Sequence, residues 1–234
     1  MLGKYEVGRI AGIPILLDAS FILLIGLYGF SHFTSGNLTS VSYGVVLVAG
    51  VAMSILLHEL GHAFAARYYR VPTSYIELNG LGGLCHYARP LPPSRIVNIV
   101  TLMAGPAANL ILWQVFSNLG TWMLNSSGDS IGGSDRTGFL LMQLGRVNFM
   151  LFVFNLLPGH PLDGGRALVQ IISKAVGYDR AMRVVAYFGL LISVWLCFLG
   201  IGGNTFAFLV AFVLFQDNLV VLQTHGGPRW KRWN

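Results

Sequence analysis

An all-α polytopic membrane protein with about six transmembrane helices is the fold this sequence predicts, and three observations predict it. Charged residues make up only 10% of the 234 positions and hydrophobic residues 54%, whereas about a quarter of a soluble domain is charged. Stretches of about 20 apolar residues, the length that crosses a hydrocarbon core, recur near 13–31, 42–66, 96–117, 138–157, 183–200 and 204–222. The gaps between them are too short for a soluble domain of ordinary size, so residues 1–234 read as one integral-membrane domain.

The elements follow in chain order. "MLGKYEVGRIAGIPILLDASFILLIGLYGF" places cations before an apolar run, as a signal peptide does. The run is too long for that, and no small-residue cleavage site follows it, so it reads as a retained first span with Asp18 at its entry, near headgroup water. The second span carries "LLHELGHAFAAR". After it, "IELNGLGGLCHYARP", residues 76–90, contains Gly80, Gly82 and Gly83 and reads either as a flexible cytoplasmic connector or as a short membrane-associated β segment. Asn98 and Asn109 lie on the third span, where asparagines commonly hydrogen-bond between helices; Asn109 follows the Gly105-Pro106 step closely and has the stronger case for supporting a site. The fourth span runs into "FNLLPGHPLDGGR", residues 154–166, whose prolines and glycines exclude a regular helix. Two further spans lead to "PRWKRWN", where Trp230 and Trp233 among cations suit an interfacial anchor.

The net charge of +6 is topological. With six spans the termini and alternate loops share one side, and of the 15 lysines and arginines all but Arg136 and Arg146 fall on that side, which the positive-inside rule makes cytoplasmic. Such a distribution argues against a nucleic-acid partner. The two cysteines, Cys85 and Cys197, have neither paired nor metal-site spacing.

His58-Glu59-Leu60-Gly61-His62 is the constellation that carries chemistry. Residues i and i+4 of a helix lie about one turn apart on nearly one face, so His58 and His62 can share one ion. Glu59, offset by about 100°, stands beside the ion, where a general base for its water is needed. The motif is short and arises by chance in soluble chains. Inside a span, however, an uncompensated carboxylate costs at least about 2.5 kcal/mol, and three adjacent polar residues there call for a common partner. A catalytic zinc commonly takes three protein ligands. Asp163 offers the third, in a broken segment of the kind that membranes tolerate only inside protein or along a watery cavity.

Together "HELGH" and "NLLPGHPLDGG" resemble the site-2 protease family of intramembrane zinc metalloproteases, peptidase family M50. Asn155, Pro158, Leu162, Asp163 and Gly164 match the family's second motif position by position, and "AGPAANL", residues 104–110, resembles its Gly-Pro-x-x-Asn segment. The resemblance implies Zn2+ held by His58, His62 and Asp163, with Glu59 as the base that activates the zinc-bound water. It implies that Asn155 hydrogen-bonds the substrate or the developing oxyanion, a role its amide donor can fill. It further implies cleavage in or near transmembrane segments of membrane-protein substrates, and a prokaryotic inner membrane with the active site opening to the cytoplasm. In relatives a segment comparable to residues 76–90 dips into the membrane as β-structure that could pair with an extended substrate. The loops are too short for the PDZ module that many relatives carry, and the run after the sixth span is too short for CBS modules. Regulation is therefore expected from span packing, loops or another membrane protein; the oligomeric state is not indicated. His86 and His160 read as surface or supporting residues rather than ligands. Arg166 reads equally as a positive-inside anchor or as a substrate or lipid contact. The alternative function is a metal-binding membrane transporter or channel, which would also use broken helices but usually shows more polar residues along several spans.

Overall fold

A bilayer offers backbone groups no water to bond, so each crossing segment must satisfy its own. The computed structural model of the chain meets this condition mainly with helices; residues 3–80, 82–126, 133–202 and 205–226 are described. Among them, five helices are long and apolar enough to cross a membrane: α2 (Leu38–Tyr68), α3 (Arg95–Ser126), α4 (Gly133–Asn155), α6 (Tyr178–Ile201) and α7 (Thr205–Gly226). Two shorter helices complete the set, α1 (Ile22–Phe33) and α5 (Asp163–Val176). The Trp230 and Trp233 anchor and the cations at 229, 231 and 232 lie outside the described residues, as does the start of the expected sixth span.

The expected first span differs from the structure. Residues 13–31 do not form one spanning helix: Ile13–Asp18 is a β-strand, Ala19–Phe21 a 3-10 turn, and only Ile22–Phe33 is α-helical. At about 1.5 Å per residue, a 12-residue helix extends about 18 Å, well short of a hydrocarbon core of about 30 Å. Asp18 is a local cap, its Oδ1 accepting from the Ser20 backbone N–H at 2.8 Å. The fourth helix, expected near 138–157, ends at Asn155, and Asp163 is the first residue of α5.

The chain groups into two compact units, Met1–Leu91 with Ala104–Val153 and Pro92–Met103 with Phe154–Asn234. In the first, β1 (Lys4–Ile10), β2 (Ile13–Asp18), β3 (Thr73–Asn79) and β4 (Gly82–Tyr87) form one sheet in that spatial order. β1–β2 and β3–β4 are antiparallel hairpins, and β2 and β3 run parallel, Ile15 opposite Ile76. The region after the second helix is therefore β-structure, not a flexible connector. Lys4 Nζ bonds Glu77 Oε2 at 2.5 Å, tying β1 to β3 across β2. α2 starts at Asn37, whose Oδ1 accepts from the Thr39 N–H at 2.9 Å, satisfying a donor that the first turn leaves open. It packs against β3 and β4. The core between them contains Leu47, Val51 and Ile55 of α2, Ile13 and Ile15 of β2, and Ile76 and Leu78 of β3, joined by Leu144 and Val147 of α4.

In the second unit α6 and α7 pack against each other and α5 against α6. Val169, Met182, Val185 and Val221 form one small core, and Leu162, Leu196 and Leu214 another. Gly189 of α6 leaves the space that Asn218 of α7 occupies.

Candidate metal centre

α2 delivers three polar side chains into an otherwise apolar interior: His58, Glu59 and His62 are all buried. The helical repeat brings the two imidazoles to one face, with Nε2 of His58 and Nε2 of His62 3.1 Å apart. Two ring nitrogens that converge in this way share either a proton or a cation, and imidazole nitrogen is a preferred zinc ligand. The neighbouring backbone is shaped to the pair. A Cβ on Gly105 of α3 would lie 2.6 Å from His58 Nε2, and a Cβ on Gly61 would lie 2.5 Å from the Ala104 carbonyl oxygen. Glycine at both positions lets α2 and α3 approach until backbone covers the imidazoles. Pro106, inside α3, donates no backbone hydrogen bond.

Glu59 is covered from the sheet side. A Cβ on Gly83 of β4 would fall 2.5 Å from Glu59 Cγ and 2.8 Å from Oε1, so the strand passes directly over the carboxylate. His86, further along β4, stacks on Tyr75 with ring centroids 4.2 Å apart and has Nε2 3.5 Å from Glu77 Oε2. It belongs to the sheet, as a supporting rather than a ligating histidine.

Behind Asn109, which its place on the third span marks, stand residues that the sequence does not mark. Asn109 Oδ1 lies 2.5 Å from His58 Nδ1, its Nδ2 donates to Asn148 Oδ1 at 2.8 Å, and Asn148 Nδ2 donates to Ser54 Oγ at 2.9 Å. Asn109 and Asn148 are wholly buried. The signal for Asn148 is a polar residue among the apolar ones of the fourth span. For Ser54 it is the i−4 position, which puts it on the same face of α2 as His58. Asn98, by contrast, bonds the carbonyls of Pro92 and Ser94 near the start of α3.

In the second unit, Asp163 is buried at the N-terminus of α5, where the helix dipole favours an anion. Arg166 Nη1 lies 4.0 Å from its Oδ1. Two close backbone contacts fold residues 156–162 onto this turn: a Cβ on Gly164 would lie 2.8 Å from Leu156 Cα, and one on Gly165 2.6 Å from the Gly159 carbonyl carbon. Asn218 holds the segment from α7, accepting from the His160 N–H at 3.2 Å and donating to the His160 carbonyl at 2.6 Å. Asn155, half-buried, is the last residue of α4.

Comparison with known proteins places these features in context. The model of peptidase family M50 matches residues 46–128 and 134–196. A zinc metalloprotease of Methanocaldococcus jannaschii is 33% identical over 183 residues, covering 77% of this chain and 49% of that protein. Rip3 of Mycobacterium tuberculosis is 30% identical over 228 residues, covering 86% of this chain and 56% of its own length. The chain thus spans about half the length of the curated relatives it matches. Among solved structures, the site-2 protease from Methanocaldococcus jannaschii superposes with a TM-score of 0.68 at 28% identity, covering 92% of this chain and 94% of that one.

Proposed function

The chain belongs to peptidase family M50, and from that premise we infer that it is a zinc-dependent endopeptidase that hydrolyses peptide bonds in or near transmembrane segments of membrane proteins. The observation that carries this reading is the pair of buried imidazoles, Nε2 to Nε2 at 3.1 Å, beside a buried carboxylate on a 31-residue apolar helix. His58 and His62 hold zinc, with Asp163 as the third ligand. The donor set fits: two imidazole nitrogens and one carboxylate oxygen are zinc ligands of the catalytic type, which leaves a further position for water or substrate.

Zinc, when bound, supplies Lewis acidity, polarising a carbonyl and acidifying water. Glu59 takes the proton from the attacking water and passes it to the leaving amine. The packing of β4 over Glu59 restricts the rotamers of its carboxylate and keeps it aimed. Asn155 donates its amide N–H to the substrate or to the developing oxyanion. A substrate helix hides its carbonyls in its own hydrogen bonds, so it must unwind to be cut. β4, the last strand of the sheet, is where the extended segment adds as a further strand, within reach of Glu59. The arginines flanking the connection from α2 to α3, Arg67, Arg70, Arg89 and Arg95, support a site opening to the cytoplasm, in a prokaryotic inner membrane.

The test compares the wild type with Glu59→Gln, reconstituted with a single-span membrane protein as substrate. The variant is expected to retain zinc and lose at least a hundredfold in cleavage, about the contribution of a general base. Undiminished cleavage by the variant removes Glu59 from its role. Zinc uptake into vesicles without cleavage by either form replaces the protease with a transporter.

A further inference from the structure

We propose that Asn148, acting through Asn109 and together with Ser54, sets the tautomer of His58, so that the nitrogen facing the metal carries a lone pair rather than a proton. The inference rests on the zinc reading above for its purpose, but not for its geometry.

Side-chain amides can be turned end for end without changing shape, so a hydrogen-bonded pair of them has no direction by itself. Backbone carbonyls have one: they only accept. Two carbonyls give this chain of bonds its sense. Asn148 Nδ2 lies 2.9 Å from the Leu144 carbonyl, which makes that end of the amide the donor. Its other proton goes to Ser54 Oγ at 2.9 Å, and Ser54 is free to accept because its own proton goes to the Gly50 carbonyl at 2.8 Å. Asn148 therefore presents its oxygen to Asn109. Asn109 turns its Nδ2 to that oxygen at 2.8 Å, with the Ser54 carbonyl 3.4 Å away on the same side. Its oxygen is left to face His58 Nδ1 at 2.5 Å. An oxygen that can only accept requires a proton on Nδ1. Neutral imidazole carries one proton, so Nε2, the atom that points at His62, keeps its lone pair.

A plain interhelical adhesive needs buried polar groups to be satisfied and nothing more. Here every step also has a consistent direction. The chain begins at carbonyls of α4 and α2, runs through α3 and ends on a ring whose other nitrogen faces the proposed ion. The reverse tautomer would set a lone pair of Nδ1 against the Asn109 oxygen. Partners that fix the tautomer of a ligating histidine typically change metal affinity by about 10- to 100-fold.

The experiment uses the whole 234-residue chain in detergent, metal-free and labelled with 15N-histidine. Long-range 1H–15N correlation reads which ring nitrogen of His58 bears the proton, with His58→Gln assigning its signals, and chelator competition reads zinc affinity. Wild type is expected to show Nδ1–H. Asn148→Leu is expected to lose that single tautomer and to weaken zinc binding by about 10- to 100-fold. Adding Asn109→Asp to Asn148→Leu is expected to restore both, because a carboxylate presents an acceptor oxygen however it is turned, and a role in helix packing alone predicts no such rescue. A wild-type proton on Nε2 overturns the proposal whether or not any variant folds. So does an Asn148→Leu protein that keeps Nδ1–H, or a double variant no better than the single one. If the tautomer behaves as expected while the wild type takes up no zinc, the relay stands and the metalloprotease reading falls.

Discussion

Gly83 and Gly105 each face the proposed site at a separation that no Cβ fits, Gly83 against Glu59 and Gly105 against the two imidazoles. Gly83 leaves β4 room to pass over the carboxylate. Its conformation asks nothing special of glycine, so Gly83→Ala tests contact rather than backbone strain. The added Cβ would sit 2.5 Å from Glu59 Cγ, and the carboxylate must move aside. A displacement of about 1 Å at a catalytic group can cost on the order of a hundredfold in rate. Gly83→Ala is accordingly expected to lose about that much turnover while its zinc content, measured by atomic emission, stays at the wild-type level. At this scale the sequence was partly legible. His58, Glu59 and His62 stand out as candidates by spacing, and Asp163 by its place in a broken segment. Asn148 does not, because its bonding partners Asn109 and Ser54 lie 39 and 94 positions away, and an asparagine in a span reads as ordinary interhelical adhesive.

Between elements, α7 reaches the segment ahead of Asp163 through Asn218. That side chain is wholly buried and bonds both backbone groups of His160 as well as the Leu214 carbonyl at 2.7 Å. Asn218→Leu leaves the His160 groups without these partners, at about 1–3 kcal/mol for each buried group left unsatisfied. It is expected to lower the thermal transition of the detergent-solubilised protein and to weaken zinc binding, both measured against wild type. If zinc affinity is unchanged, α7 has no part in presenting Asp163. α5 escaped a sequence reading because Gly164 and Gly165 look like helix breakers. In the structure they open the first turn of a helix, where both touch the backbone of residues 156–162 more closely than a side chain allows. The hydropathy reading failed at β2 for a different reason: a short apolar run does not distinguish strand from helix. Pro14, which removes a donor, precedes the parallel pairing that begins at Ile15, so its position costs that ladder nothing.

Across the whole molecule, the fold class, the long apolar helices and the HELGH helix were all legible from composition and spacing, since each depends on residues close in sequence. The sheet was not, because half of it comes from the N-terminus and half from the stretch after α2. Metal linkage gives a test at this scale. Zinc at about 100 times its dissociation constant is expected to stabilise the metal-free protein by about 2.7 kcal/mol, read as an upward shift of its thermal transition. The double variant His58→Ala/His62→Ala should show no such shift, and an equal shift in that variant would mean the ion binds elsewhere. β2, the 3-10 turn and α1 together cover residues 13–33. Laid end to end, strand and helix extend about 20 Å and about 18 Å, as far as a spanning helix reaches. This hydrophobic segment therefore cannot complete its sheet on its own. Its hairpin partner β1 is already made, but β3, opposite Ile15 at Ile76, emerges roughly sixty residues later, after α2 has been synthesised. Until then one edge of β2 has no strand to pair with, and its backbone groups must find their hydrogen-bond partners outside the sheet.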